Sequence, residues 1–207
     1  MLLAALLVGA AISAFAQSAF DNTFVSVGLG GQALFGDHEK QMNFSERTSP
    51  ALDIAVGKWF TPVVGVRVAY TGLSLNGATQ YSELSNGEAI GSKPFYGYWL
   101  YEQPIKYMHL HAEAMFNVLN WIGGNNPERK WGLSPYVGLG WLHTTSKHKT
   151  SEIGFNLGLN ASYRLTEVLD LNIDVRGTLT SDDFDGEPGG RSGEGILGAT
   201  IGVAYKF

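Results

Sequence analysis

The chain has 207 residues, no cysteine and a formal net charge of -5. The acidic balance argues against a nucleic-acid partner, because binding to phosphates needs a basic surface. The lack of cysteine excludes disulfide bonds and thiolate metal ligands. Charged residues make up only 16% of the chain, against about 25% in a typical soluble domain, so surface charge is scarce. The length suits a single domain.

The first residues have the features of a secretion signal. Residues 2–12 form an apolar run that is too short to span a bilayer, which takes about 20 residues. Ala14-Phe15-Ala16 follows with the small-x-small pattern of a cleavage site. We therefore expect residues 1–16 to be a signal peptide and residues 17–207 to form the mature domain. A buried helix or a short anchor is the alternative, since no Lys or Arg precedes the apolar run.

Apolar and polar residues alternate along most of the remaining chain, in segments of about 10 residues. Alternation with a period of two is typical of a strand that has two different faces. The connections between the segments are generally short and long in turn. The pattern predicts an all-β fold, an eight-stranded antiparallel transmembrane β-barrel with both termini at one end. The eight segments are residues 23–35, 51–60, 64–72, 106–119, 133–143, 153–165, 169–179 and 195–207.

Three features indicate which face of the predicted barrel meets lipid. The polar rows are rich in Gly, Ser, Asn and Ala, which fit a narrow lumen. The apolar rows carry almost no charge, and a Lys or Arg on a lipid-facing row costs about 2–4 kcal/mol at the bilayer midplane. Aromatic residues fall near the ends of the apolar rows, as in the interfacial girdles of membrane barrels. We therefore predict that the apolar side chains face outward and that polar side chains fill the lumen.

Charged residues of both signs fall on the inward rows, and each needs a partner in a lumen of low dielectric constant. We predict that ion pairs and hydrogen bonds plug the lumen and leave no open channel. The same strand face carries the spacing His-x-His-x-Glu, for which zinc ligation is the alternative to a place in this network. We predict no metal site. The predicted network consists of Asp53, Arg67, His109, His111, Glu113, Arg164, Asp174 and Arg176.

One loop has part of a calcium-binding motif. Ser181, Asp183, Asp185 and Gly186 match the beginning of a calcium loop, but Ser192 stands where the motif needs Glu. A solvated acidic loop is the preferred interpretation, and weak calcium binding in residues 181–193 is the alternative.

Another connection, residues 73–105, is rich in aromatic residues. These residues either form a contact surface for a protein partner or glycan, or extend the hairpin above the membrane and pack on each other. The six aromatic residues are Tyr81, Phe95, Tyr96, Tyr98, Trp99 and Tyr101.

The C-terminal residues are similar to the assembly signal of outer-membrane barrels. A terminal Phe follows alternating apolar or aromatic residues, so the signal residues are expected to be Ile201, Val203, Tyr205 and Phe207. Residues 52–59, 134–141 and 169–177 resemble the barrel half of OmpA-family proteins. The resemblance implies a Gram-negative outer membrane, with the lipid bilayer, lipopolysaccharide and the barrel assembly machinery as partners. Many members of that family continue into a peptidoglycan-binding domain, which is not expected here because the chain stops at Phe207.

Three functions fit this architecture. The preferred one is a structural outer-membrane barrel without a cofactor, whose surface loops serve envelope integrity, adhesion or recognition. The first alternative is an ion or small-solute pore, which requires a water-filled lumen. The second is a membrane-embedded lipid-modifying enzyme, which would place its catalytic polar residues near the outer rim.

Overall fold

The computed structural model describes residues 21–187 and 193–207, so the expected signal peptide and Ser192 lie outside the described residues. Short helical segments in this range are Glu39–Gln41, Phe44–Arg47 and Val118–Gly123. No helix in the described part has the length and apolar character that spanning a membrane requires. The β-strands are β1 Thr23–Phe35, β2 Thr48–Trp59, β3 Val64–Thr79, β4 Ala89–Phe95, β5 Tyr98–Phe116, β6 Trp131–Thr144, β7 Ser151–Arg164, β8 Leu169–Thr180 and β9 Glu194–Lys206.

All the strands except β4 form a closed antiparallel barrel. Each barrel strand pairs with the next one along the chain, and β3 pairs with β5 because β4 lies outside the barrel. Strand β9 closes the barrel by pairing with β1 from Phe24↔Lys206 to Phe35↔Gly195. Closure leaves no free sheet edge in the barrel wall, which a wall surrounded by lipid requires. The eight-stranded antiparallel barrel expected from the alternation is confirmed.

The two ends of the barrel differ in the length of their connections. The end at which β1 begins and β9 finishes is here called the turn end. The opposite end, here called the loop end, carries most of the longer connections. The turn end carries residues 60–63, 117–130 and 165–168, and the loop end carries residues 36–47, 80–97, 145–150 and 181–187.

Strands β3 and β5 extend further toward the loop end than the alternation predicted. Their register continues without a shift from Val64↔Phe116 to Thr79↔Tyr101. A strand of 19 residues, such as β5, is about 65 Å long at about 3.4 Å per residue, whereas about 9–11 residues cross a membrane. The hairpin therefore continues beyond the membrane, and much of the predicted connection 73–105 is strand.

The predicted strand at residues 106–119 was wrong at its turn end. Strand β5 stops at Phe116, and Val118–Gly123 is a short helix. The side chain of Asn117 accepts a hydrogen bond from the backbone N–H of Asn120 at 3.0 Å, which caps the start of this helix. The capping hydrogen bond favours a helix where the alternation predicted the end of a strand.

The two faces of the wall have the predicted orientation. Side chains on the polar rows point inward and are buried, as in Asp53, Arg67 and Asn156. The exposed outward rows are made almost entirely of large apolar side chains, so hydrocarbon can surround the wall without burying charge. Outward-facing residues include Val27, Leu29, Ile54, Val68, Leu110, Leu139, Leu157, Ile173, Leu179 and Ile201.

Candidate functional site

Arg67 and Arg176 organise the polar centre of the lumen. Arg67 donates from Nε to Glu113 Oε2 at 2.7 Å and from Nη1 to Asp174 Oδ2 at 3.0 Å. Its guanidinium also lies over the ring of Tyr136, 4.5 Å from the centroid. Strand register explains the first contact, because Arg67 on β3 stands directly opposite Glu113 on β5.

Arg176 connects the same carboxylates from the other side of the lumen. Its Nη2 lies 2.5 Å from Asp53 Oδ2, and its Nη1 donates to the hydroxyl of Thr71. The Nε atom lies 3.4 Å from Glu113 Oε1, and Nη2 lies 3.5 Å from Asp174 Oδ1. Two guanidinium groups thus hold three carboxylates in one layer, which is here called the ion-pair layer.

The two histidines for which zinc ligation was the alternative belong to this layer. His111 Nδ1 lies 2.8 Å from Glu113 Oε1, and its Nε2 lies 3.0 Å from the hydroxyl of Thr71. The ring of His109 lies 4.4 Å from the ring of His111 and its Nε2 is 3.5 Å from Asn156 Nδ2. Among residues 21–187 and 193–207, no group of three or more His, Asp or Glu side chains is arranged to hold a metal ion.

Glycines on the inward rows make room for these large side chains. A Cβ atom on Gly158 would lie 2.2 Å from the hydroxyl of Tyr136, and one on Gly140 would lie 2.3 Å from His109 Nε2. Such distances are far inside van der Waals contact, so any larger residue would displace the ion-pair layer or the wall. These two positions therefore have room only for glycine.

Arg164 does not join the ion-pair layer, which corrects the prediction for this residue. It is the last residue of β7, and its guanidinium donates to the carbonyl of Pro127 in a neighbouring connection at the turn end. Alternation assigns a residue to the inward row but does not specify its height along the barrel. The other seven predicted residues lie together in the lumen.

Neutral polar residues complete the layer, and the sequence reading did not assign them to it. Tyr136 donates from its hydroxyl to Asp174 Oδ1 at 2.6 Å, and Asn160 donates to Asp174 Oδ2 at 3.1 Å. Thr178 donates to Asn156 Oδ1 at 2.8 Å. Tyr136, Asn156, Asn160 and Thr178 all lie on predicted inward rows. The alternation therefore predicted the side of the strand that they face, but not their hydrogen-bond partners.

Apolar layers close the lumen above and below the ion-pair layer. At the loop end, Phe184 enters the barrel and packs edge-to-face on Tyr107, with 5.9 Å between the ring centroids. Near the turn end, Phe24, Met115 and Tyr136 form a second buried cluster. A lumen cavity beside Arg176 has a volume of about 20 Å³, which is space for one water.

A second group of buried carboxylates lies at the loop end. Glu39 accepts hydrogen bonds from the backbone N–H groups of Gly36 and Ala78 at 2.9 and 3.1 Å. Burial raises the pKa of Glu39, the charge of Asp185 adds to this rise, and the backbone hydrogen bonds oppose it. This group was not predicted, because its members come from separate loops.

The loop that carries the calcium-type motif does not direct its acids to one point. Asp183 lies 3.5 Å from His148 Nε2, whereas Asp185 is buried. The carbonyl of Asp185 accepts a hydrogen bond from Gln103 at 2.5 Å. Asp183 and Asp185 thus make contacts on two different sides of the loop.

Three of the expected assembly-signal residues lie on the outward face of β9, and Phe207 directly follows the end of this strand. Ile201, Val203, Tyr205 and Phe207 are exposed on the barrel wall. The ring centroids of Tyr205 and Phe207 are 4.9 Å apart, and the backbone N–H of Phe207 donates to the carbonyl of Thr23 at 2.9 Å. These side chains therefore lie along the strand that closes the barrel.

Aromatic residues of the loop end form a partly exposed surface. Tyr81, Tyr96 and Trp99 are exposed, and Tyr96 is 88% exposed. The β4–β5 hairpin presents Tyr96 at its tip, where Tyr96 and Gly97 both have positive φ values of 43° and 90°. A two-residue turn with this geometry matches the twist of the strands, and it needs Gly or another tolerant residue.

Comparison with known proteins identifies the family. A family model described as "Outer membrane protein beta-barrel domain" matches residues 2–207. The chain belongs to this family. The family match confirms the predicted outer-membrane barrel, and it locates the protein in the outer membrane. Short turns face the periplasm in such barrels, so the loop end faces the outside of the cell.

Curated relatives and a solved structure agree with this assignment. The chain is 24% identical to Outer membrane protein 40 of Porphyromonas gingivalis (strain ATCC BAA-308 / W83), over 92% of the chain and 48% of the relative. It is also 24% identical to Outer membrane protein 41 of the same strain, over 94% of the chain and 50% of the relative. The chain thus spans about half the length of the curated relatives it matches. The crystal structure of Neisserial surface protein A has the same fold, with a TM-score of 0.55 at 12% identity, covering 90% of this chain and 98% of that chain.

Proposed function

We propose that the protein is a non-catalytic structural barrel whose outer loops serve envelope integrity, adhesion or recognition. The observation that supports this proposal is the filled lumen. Arg67 and Arg176 bind three carboxylates in the ion-pair layer, and apolar clusters lie on both sides of that layer. A solute would have to break buried ion pairs to pass, which costs several kcal/mol for each charge left unpaired.

Conductance across a planar lipid bilayer tests the proposal against the pore alternative. We expect the purified, refolded protein to give no steady channel openings, because the lumen holds packed side chains. A known porin measured in the same bilayer serves as the positive control for insertion. Regular large openings by protein that has the folded mobility on an unboiled gel would overturn the structural function in favour of the pore.

The aromatic surface at the loop end supports a recognition function. Aromatic side chains present large, stiff contact areas, and Tyr and Trp are enriched at binding surfaces. We expect a combined Tyr81→Ser, Tyr96→Ser and Trp99→Ser variant to reduce attachment of expressing cells to host cells or glycan-coated surfaces. Phe44→Ser is the matched control, because Phe44 is exposed in a different outer loop. Equal attachment by the combined variant and wild type would exclude this surface.

The outward row of β9 is proposed to be read by the barrel assembly machinery. Deletion of Phe207 is expected to reduce the amount of folded barrel in the outer membrane, measured as the heat-modifiable band on a gel. Phe60→Ala is the control, because Phe60 is an exposed aromatic residue at the same end of the barrel but outside β9. Undiminished folded protein after deletion of Phe207 would contradict the assignment.

One contact bears on the enzyme alternative. His143 Nδ1 lies 2.9 Å from the hydroxyl of Ser151, and the His143 ring stacks on Trp141 with centroids 5.4 Å apart. A serine beside a histidine is the minimal arrangement for nucleophilic catalysis. We expect the purified protein to release no fatty acid from phospholipid or lipid A. Hydrolysis that disappears with Ser151→Ala would overturn the non-catalytic proposal.

A further inference from the structure

A short helix at the turn end presents two large apolar side chains that the described residues leave exposed. The helix Val118–Gly123 is here called the turn-end helix, and it lies in the longest connection of that end, residues 117–130. Trp121 is 66% exposed and Ile122 is 73% exposed. Transfer of such side chains out of water is favourable, so this face of the helix is suited to an apolar neighbour.

Polar groups hold the turn-end helix against the rest of the protein. Asn120 Nδ2 donates to the carbonyl of Pro62, in a neighbouring turn, at 2.7 Å. Arg129 donates from Nη1 to the carbonyl of Leu119 at 2.7 Å and from Nη2 to the carbonyl of Gly123 at 3.2 Å. The second and third contacts satisfy carbonyl groups that the end of a helix leaves unpaired. A helix this short is unstable in water by itself, so these contacts determine which of its side chains point away from the barrel.

The exposed face of the turn-end helix continues the outward face of the barrel wall. Phe116, the last residue of β5, is exposed on the outward row, and its ring centroid lies 5.7 Å from that of Trp121. On β6, Trp131 and Trp141 are both exposed, and the stretch between them has about the length with which a strand crosses a bilayer, about 9–11 residues. Trp131 therefore marks the periplasmic boundary of the membrane. The turn-end helix contacts β6, so it lies near this boundary.

We propose that the turn-end helix is a membrane anchor that inserts Trp121 and Ile122 into the interfacial region of the periplasmic leaflet. Continuity with the wall favours lipid over a periplasmic protein as the occupant, because Trp121 packs on a residue of the outward row. An interfacial helix lies in the membrane plane with its apolar side toward the acyl chains, and Trp prefers this region. Residues 125–130 are mostly polar and exposed, so we expect them to remain in the periplasmic water.

Spin-label accessibility tests this proposal. The variant Ile122→Cys carries a nitroxide label, and the protein is reconstituted into phosphatidylcholine vesicles. We expect the label to collide more often with lipid-dissolved oxygen than with a water-soluble nickel chelate that is present on both sides of the membrane. Asn125→Cys is the matched control, because Asn125 is exposed in the same connection and should show the reverse order.

Two outcomes of this experiment would overturn the proposal. Preference for the nickel chelate at both positions shows that the helix face lies in water, where a soluble partner could cover it. Spin–spin broadening at Ile122→Cys that disappears on dilution with unlabelled protein assigns the face to a second copy of the chain.

The native tryptophan provides a second measurement without a label. The chain has five tryptophans, so the difference between wild type and Trp121→Phe isolates the emission of Trp121. We expect lipids brominated near the headgroup to quench this emission, and lipids brominated at the ends of the acyl chains to quench it much less. Absence of quenching by both lipids would contradict insertion of Trp121.

Arg129→Gln tests whether the protein positions the helix for this contact. The substitution removes the charged donor from the helix carbonyls, so the label at Ile122→Cys should become more mobile and more accessible to the nickel chelate. Lys130→Gln is the control, because Lys130 is an exposed cation next to Arg129 in the sequence. The folded mobility of each variant on an unboiled gel verifies that the barrel has formed. An equal spectrum in Arg129→Gln and Lys130→Gln would overturn the assignment of Arg129 as the positioning residue.

Discussion

The lumen and the loop end both bury several carboxylates, but they balance the charge differently. In the ion-pair layer, two arginines contact three carboxylates at distances from 2.5 to 3.5 Å. At the loop end, Glu39 and Asp185 are both buried, and burial and the charge of Asp185 raise the pKa of Glu39. The first arrangement places each carboxylate beside a guanidinium, whereas the second places two acidic groups near each other, which favours a bound proton.

Backbone architecture accounts for this difference. The lumen residues stand on strands with continuous register, so a charge on one strand always meets the same residue across the lumen or beside it. The acids of the loop end stand on separate connections, so no strand register fixes which of them meet. Strand register thus fixes the charge pairs of the lumen, whereas the packing of separate loops brings the acids of the loop end together.

Removal of a lumen arginine is the strongest test of the comparison. Arg176→Leu leaves Asp53 without its guanidinium partner, and loss of one partner from a buried pair costs about 3–5 kcal/mol. We expect a large fall in the free energy of unfolding, measured by urea titration of the refolded protein. Asp183→Asn, which lies in an outer loop, should change stability little. Equal effects of the two substitutions would contradict a packed ion-pair layer.

Two Gly→Ala substitutions test how tightly the lumen is packed without changing its charge. Gly158→Ala forces a methyl group against the Tyr136 hydroxyl, and overpacking of this kind costs about 1–3 kcal/mol. Gly177→Ala is the control, because the nearest atom to an added Cβ there is 3.8 Å away. The same urea titration measures both variants. A neutral Gly158→Ala would indicate that the lumen is loosely filled.

The loop end should respond to pH more than the lumen does, although the effect is smaller than those of the two substitutions. The pKa of Glu39 is raised above its ordinary value of 4.5 by burial. A raised pKa adds stability that is fully present below the unfolded value and is lost as pH rises through the folded value. We therefore expect residues 36–47 to become more accessible to protease between mildly acidic and neutral pH.

Glu39→Gln provides the control for this pH dependence. Its amide keeps an acceptor oxygen for the backbone but no longer titrates, so the increase in cleavage with pH should become smaller. Cleavage that changes with pH equally in Glu39→Gln and in wild type would assign the effect to another group.

The regular part of the molecule was predictable from the sequence. Alternation identified the eight barrel strands and the outward row, as in Leu169, Leu171, Ile173 and Val175 of β8. The prediction succeeded because every second residue of a membrane-spanning strand faces lipid and must be apolar. The inward position of Arg67, Glu113 and Asp174 followed from the same rule.

Other features depend on tertiary contacts that alternation does not report. The placement of Arg164 was missed because a strand-end side chain reaches the neighbouring connection and not the lumen centre. The extension of β3 and β5 was missed because the two rows exchange polarity there: Leu75 and Ile105 are buried on the inward side, and Lys106 is exposed on the outward side. The buried carboxylates Glu39 and Asp185 were missed because they are far apart in sequence and follow no period.

Thiol accessibility on β8 tests the central claim, an apolar exterior around a sealed polar lumen, most directly. The chain has no cysteine, so an introduced cysteine is the only thiol that can react with a label or reagent. Thr178 is 3% exposed and Leu179, its neighbour, is 63% exposed. In protein reconstituted into lipid vesicles, we predict that a spin label attached at Leu179→Cys contacts lipid-dissolved oxygen, and that Thr178→Cys resists a small water-soluble thiol reagent. Rapid modification of Thr178→Cys by that reagent would contradict a sealed lumen.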